Sequence, residues 1–266
     1  MNEHFAAFLK TTREALVTAG LERVEHDGSV YFRGGGAAHS PVLILLHGAN
    51  DQAGTWSAIV PALVKHYRLL VPDLAGHGES APSEGPLPLQ MILDKVAAII
   101  DCEGIERATF VGNSMGGWIS MLYALANPQR VERLVLEDAS GMAWIVTVPL
   151  FSTTREEAML ALRAVHGPHA ELPDWMADTL LERATSSPML RVAQAGVLQH
   201  LLDARLPDLD VPTTLIWGAD DGVLPVAYAE ALRSKIKNST LQIIEGAAHI
   251  PHRQQPERFL ACLMAT

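Results

Sequence analysis

Gly112-Asn113-Ser114-Met115-Gly116-Gly117 sets one serine among three glycines, between an apolar β-type run and a helix-type run. A serine at the tip of so sharp a turn can be held up as a nucleophile. The Gly-x-Ser-x-Gly spacing removes side chains where the two arms of the turn approach each other. The strained backbone this requires costs on the order of 1–3 kcal/mol. The same geometry directs the Met115 N–H, at a helix start, toward a developing oxyanion. The bland alternative is a glycine-rich crossover with a buried serine.

A serine hydroxyl needs a base, and the base needs an orienting acid. Two later loops supply them. One reads Ala219-Asp220-Asp221-Gly222-Val223-Leu224-Pro225 and the other Ala247-Ala248-His249-Ile250-Pro251-His252. The chain order is serine, aspartate, histidine. A fourth loop, His47-Gly48-Ala49-Asn50, offers the Ala49 N–H as a second oxyanion donor. Asp220 competes with Asp221 for the acid role, as do Glu137 and Asp138, and His252 competes with His249 for the base. His47, His77, His249 and His252 have no recognised ligand spacing, so no metal is expected. The loop DLAGHGES lacks a phosphate-cradling pattern.

These loops must be presented by strand ends. The run Pro41-Val-Leu-Ile-Leu-Leu46 is too apolar for a strand with a solvated face and suits the centre of a parallel sheet. Strand-type runs then alternate with helix-type ones: Thr55–His66, YRLLVPD, Leu89–Cys102, ATFVG, Met115–Ala126 and RLVLED. Such alternation means βαβ crossovers and a sheet with helices on both faces. An N-terminal helix with Phe5, Phe8, Leu9, Leu16 and Val17 near one face precedes them. A hairpin turning at Asp27-Gly28 follows it. From 141 to 206 the alternation stops. Three helical runs occupy this stretch, the first opened by a Thr153/Glu156 capping box and the last covering 188–204. TTLIWG, a helix over 226–235, LQIIEG and a final helix from Glu257 resume the pattern. The expected organisation is a core over 1–140 and 207–266, interrupted by a helical insertion over 141–206.

The chain has 266 residues, 48% of them hydrophobic, which suffices for a sizeable core. A formal net charge of -10 disfavours nucleic acid and anionic membrane surfaces. No apolar run approaches ~18 residues, so stable membrane insertion is not expected. The N-terminus lacks a signal-peptide pattern, so a cytoplasmic protein is expected. Cys102 and Cys262 are read as two buried free thiols.

With HGAN, DLAGHGES, GNSMGG, WGADDGVLP and GAAHIPHRQQPERF in this order, the chain resembles the α/β-hydrolases of serine esterase and lipase type. The resemblance implies an α/β-hydrolase fold: a mostly parallel central sheet, helices on both faces and a helical cap over 141–206. That cap is similar to those of bacterial lipases and monoacylglycerol lipases. It also implies Ser114 as nucleophile, Asp221 as acid, His249 as base, and Ala49 and Met115 as oxyanion donors. Asn50, Met142, Trp144, Leu224 and Ile250 become candidates for contacting substrate. Met159, Trp175 and Met176 are further cap residues for an acyl pocket. No cofactor is implied, and the partner is a small-molecule ester of small to medium acyl length or a monoacylglycerol. Alternatives with the same triad are carbon–carbon bond hydrolysis, thioester hydrolysis and perhydrolysis. A non-catalytic ligand-binding hydrolase fold is the alternative from another class.

Overall fold

The structure is a computed structural model that describes residues 2–265. It opens with α1 (Glu3–Thr18), β1 (Leu21–His26), β2 (Ser29–Gly34) and β3 (Val42–Leu46). Next come a 3₁₀ turn (Ala53–Ala58), α2 (Val60–Leu63), β4 (Arg68–Pro72) and α3 (Leu89–Cys102). The middle of the chain holds β5 (Ala108–Asn113), α4 (Met115–Ala126) and β6 (Val131–Glu137). Then α5 (Arg155–His166), α6 (Asp174–Glu182) and α7 (Pro188–Ala195) run without a strand. The chain finishes with β7 (Thr213–Gly218), α8 (Val226–Lys235), β8 (Ser239–Ile244), α9 (Pro251–Gln254) and α10 (Pro256–Met264).

The eight strands form one sheet in the order β1-β2-β4-β3-β5-β6-β7-β8. β1 pairs antiparallel with β2, and β2 with β4; every other pairing is parallel. Strand order reverses between β3 and β5, which opens a crevice at their carboxyl ends. Alternate residues along the central strands divide into two cores. Ile44, Leu46, Phe110, Leu134, Leu136, Leu215 and Trp217 join one core, which α3, α4 and α8 cover. Leu43, Leu45, Val111, Val135 and Ile216 join the other, with Leu16 of α1, Trp56, Val60 of α2 and Phe259 of α10. The continuous apolar runs are therefore strands buried on both faces, because a period of two sends neighbours to opposite helical layers.

Local chemistry explains the departures from the sequence expectations. The helix expected over 55–66 is a 3₁₀ turn followed by one short helix. Pro61 has no N–H to continue the first segment, and it sits at the start of the second. The capping box belongs to Thr154 and Glu157, one residue later than expected. Thr153 also donates, through its N–H and hydroxyl, to the Glu157 carboxylate. The helix expected over 188–204 ends at Ala195, because Gly196 adopts φ +87°. Val17 lies half exposed whereas Leu16 is buried, since adjacent helical residues point about 100° apart. The two cysteines are free but not buried: Cys102 is exposed and Cys262 partly so. Cys102 is the last residue of α3, beyond its buried Ile99 and Ile100.

Candidate active site

Ser114 lies between β5 and α4 at φ 52°, ψ −116°, a conformation that side-chain-bearing residues rarely adopt. The flanking glycines account for how the turn closes. A Cβ on Gly112 would sit 2.5 Å from the Gly116 carbonyl, and one on Gly116 would sit 2.1 Å from Leu46 O of β3. A Cβ on Gly117 would meet the Ala139 side chain at 2.4 Å. The turn is also sewn to β6, with Ser114 N–H donating to Glu137 O at 2.9 Å. Within Val111–Ser120 the serine is the one residue that is not buried. At the first position of α4, the Met115 N–H has no carbonyl to reach inside its own helix.

The Ala49 peptide is oriented by a histidine. His47 Nε2 accepts the Leu74 N–H at 2.9 Å, which leaves Nδ1–H to donate to Gly48 O at 2.7 Å. Burial lowers the His47 pKa and keeps the ring neutral, as that pattern requires. In a trans peptide the next N–H points opposite to the carbonyl, so the Ala49 N–H is turned away from the His47 ring. A Cβ on Gly48 would lie 3.2 Å from the Ser114 Cβ, so this loop and the serine turn are in close contact.

His249 Nδ1 lies 2.8 Å from Asp221 Oδ2. The other Asp221 oxygen accepts the Val223 and Leu224 N–H groups at 2.8 and 3.0 Å. Both side chains are buried, His249 at 7% exposure and Asp221 at 5%. Burial alone would depress the imidazole. The Asp221 charge and hydrogen bond outweigh it, with Glu137 adding, so the His249 pKa is raised above its ordinary 6.5. With Nδ1 committed to Asp221, Nε2 is the free basic nitrogen. Asp220 is engaged through its backbone N–H with Ala247 O.

Asn113 explains how the loops hold together. Its Nδ2 donates to His249 O at 2.9 Å, joining the serine turn directly to the histidine loop. Beneath them lies a second carboxylate–imidazole pair, Glu137 and His252, for which the sequence also offers a polar supporting role at Glu137. Glu137 accepts the His252 N–H at 2.7 Å and its Nδ1 at 2.8 Å, and Thr55 Oγ1 lies 2.9 Å from Nε2. His252 is fully buried against the Trp56 ring, with centroids 4.2 Å apart. Two adjacent acids ending an apolar strand, Glu137-Asp138, were the available signal.

The segment between β6 and β7 is bonded into these same loops. At the C-terminal end of α5, Ala164 O accepts from Gly222 N, Val165 O from His249 N and His166 O from Gln254 Nε2. At α7, Arg191 donates to the carbonyls of Gly76, Pro82, Ser83, Glu84 and Gly85. Asn50 Oδ1 accepts the Met189 N–H at 3.0 Å. The remaining candidates for touching substrate are placed as follows. Met142 is buried and donates its N–H to the Tyr228 hydroxyl. Trp144 is 41% exposed and stands edge-on to the Tyr228 ring. Leu224 and Ile250 are buried beside Asp221 and His249 in sequence. Met159 and Met176 pack on the small core of α5 and α6, and Trp175 stacks on His4 of α1.

Sheet order, strained serine turn and carboxylate–imidazole pair together define the hydrolase class of α/β proteins. The chain belongs to the alpha/beta hydrolase family, matching it over residues 43–261. Among curated relatives it is 30% identical over 258 residues to the pimeloyl-[acyl-carrier protein] methyl ester esterase of Pectobacterium carotovorum, covering 89% of this chain and 98% of that one. It is 24% identical over 250 residues to the human monoacylglycerol lipase ABHD6, covering 84% and 74%. Among solved structures it resembles a bacterial membrane phospholipase A at 29% identity and a TM-score of 0.81, covering 98% of this chain and 91% of that one. The meta-cleavage product hydrolase CumD matches at 25% identity and a TM-score of 0.77, covering 92% and 96%. No helix among the described residues is long and apolar enough to cross a membrane.

Proposed function

We propose that the protein is a serine carboxylic-ester hydrolase working through an acyl-enzyme. The observation that carries this reading is an imidazole, His249, whose Nδ1 is committed to a buried carboxylate on a loop that Asn113 ties to the strained Ser114 turn. His249 Nε2 takes the Ser114 proton as Oγ attacks the ester carbonyl. The carbonyl oxygen becomes an oxyanion held by the Met115 and Ala49 N–H groups. Collapse of the tetrahedral intermediate expels the alcohol, which receives the proton from His249. Water, deprotonated by His249, then attacks the acyl-serine and frees the acid. Asp221 holds the ring and stabilises the imidazolium throughout. Residues 141–206 act as the cap, and Asn50, Met142, Trp144, Leu224 and Ile250 border the substrate.

The substrate is an ester with a small to medium acyl chain or a monoacylglycerol. The esterase and lipase relatives support this class. The meta-cleavage neighbour keeps carbon–carbon bond hydrolysis as the rival. A panel of p-nitrophenyl esters, monoacylglycerols, methyl esters and a 2-hydroxy-6-oxo-dienoate separates them. The expected result is ester turnover that rises and then falls with acyl length and vanishes in Ser114→Ala. Turnover of the dienoate alone would transfer the same residues to the rival reaction.

A further inference from the structure

Asp138 follows Glu137 at the end of β6, holds φ +43° and is fully buried. Its backbone N–H donates to Ile216 O, and its Oδ1 accepts the Gly218 N–H at 3.0 Å. Its Oδ2 is sealed from solvent and has no donor within reach. One carboxylate oxygen each of Asp138 and Asp221 and one ring nitrogen of His249 all lie within 4.8 Å of one another. Asp221 Oδ1 already takes two backbone N–H groups and Oδ2 takes the His249 ring.

An ionised Asp138 would leave a buried anionic oxygen without a donor, facing a second carboxylate. Both are costly. A proton on Oδ2 removes the repulsion and turns the orphan acceptor into a donor toward the Asp221 carboxylate.

We infer that Asp138 is a positioning residue that sits as a neutral carboxylic acid and donates its proton to the Asp221 carboxylate as a hydrogen bond. This rests on reading Asp221 and His249 as the catalytic acid and base. Asp138 touches no substrate in this scheme and acts through Asp221, fixing its orientation and drawing off part of its charge. The titratable groups facing it are Asp221, His249 and Glu137, and Glu137 is engaged by His252. Burial, then the Asp221 charge, then the Glu137 charge push its pKa well above the ordinary carboxylate range, in the same direction as the geometry.

The decisive variant is Asp138→Asn. Asparagine tolerates the positive φ. Its Oδ1 accepts from Gly218 N and its Nδ2 donates to Asp221, reproducing the protonated acid without a proton to lose. Asp138→Asn is expected to keep kcat within about threefold of wild type, with the acid limb of kcat/KM unmoved. Asp138→Ala removes the donor and is expected to lower kcat about 10–100-fold with KM little changed. Its acid limb should move to higher pH, because Asp221 then keeps more charge for His249. Infrared difference spectra at neutral pH, wild type minus Asp138→Asn, should show the carbonyl stretch of a protonated carboxylic acid. That band needs no turnover, so it decides the point even if Asp138→Ala does not fold. It also separates failure of this inference from failure of the triad reading, which Ser114→Ala addresses. A loss in Asp138→Asn as large as that in Asp221→Asn, or absence of the band, would overturn it. So would activity removed by EDTA and restored by a divalent cation, which would make the three groups a metal site.

Discussion

At the residue scale, burial and the Asp221 carboxylate pull the His249 pKa in opposite directions. Burial favours the neutral ring, while the Asp221 carboxylate at 2.8 Å favours the cation and wins. The sign for activity follows directly. As the proposed base, His249 works only when neutral, so kcat/KM should rise with pH through a midpoint above 6.5. Asp221→Asn removes both the charge and the acceptor that hold the correct tautomer. It should cost about 10⁴-fold in kcat and move the acid limb to lower pH. A pH–rate profile of the variant checks both; an unmoved limb with small loss would shift the acid role elsewhere. By contrast, burial drives the His77 ring down to about 3 and His166 to about 4, where the Arg253 charge assists. Both shifts favour the neutral rings near neutral pH. Ser114, Asp221 and His249 stand out as candidates in the sequence because each sits in a loop that punctuates an apolar run. Asn113 was not, because its role is a side-chain bond to a carbonyl 136 residues away, which no local pattern records. His252 carried the opposite problem. Its spacing of three from His249 put it among the candidates, and its bonds to Glu137 and Thr55 and its packing against Trp56 place it in the core.

At the element scale, strand boundaries were readable because apolar runs end at glycine, proline or an acid, and the twofold alternation of cores then follows from the sheet. Helix starts were read less well where two candidates adjoin, as at Thr153 and Thr154. A single residue of offset decides which threonine hydroxyl accepts the Glu157 N–H. How the helices between β6 and β7 attach was not legible at all. No motif marks Arg191, yet its side chain is buried and bonded to five carbonyls of the 76–85 loop. A carbonyl-rich loop and a guanidinium fit because arginine carries five N–H donors in a fixed fork. Arg191→Met keeps the apolar stem and deletes the donors. The expected outcome is faster amide hydrogen exchange in α7 and in residues 76–85, with β5 and β6 unchanged. Unchanged protection at α7 would mean that its attachment depends on other contacts.

At the scale of the whole molecule, the site is assembled from loops at the carboxyl ends of β3, β5, β7 and β8. The central strands run parallel, so these ends share one edge of the sheet. The helices between β6 and β7 reach that edge through α5, whose last carbonyls hold the backbone of Gly222 and His249. This segment is thereby hydrogen-bonded to the Asp221 and His249 loops. In the proposed mechanism Ser114 becomes acylated during turnover. The direct test is rapid mixing with p-nitrophenyl butyrate, followed by acid quench and mass mapping of the digested protein. The expected result is a burst of p-nitrophenol matched by a butyryl adduct on the peptide containing Ser114, with both absent in Ser114→Ala, whose kcat falls by about 10⁶. Turnover in Ser114→Ala equal to wild type, or an adduct mapped to another residue, would contradict it.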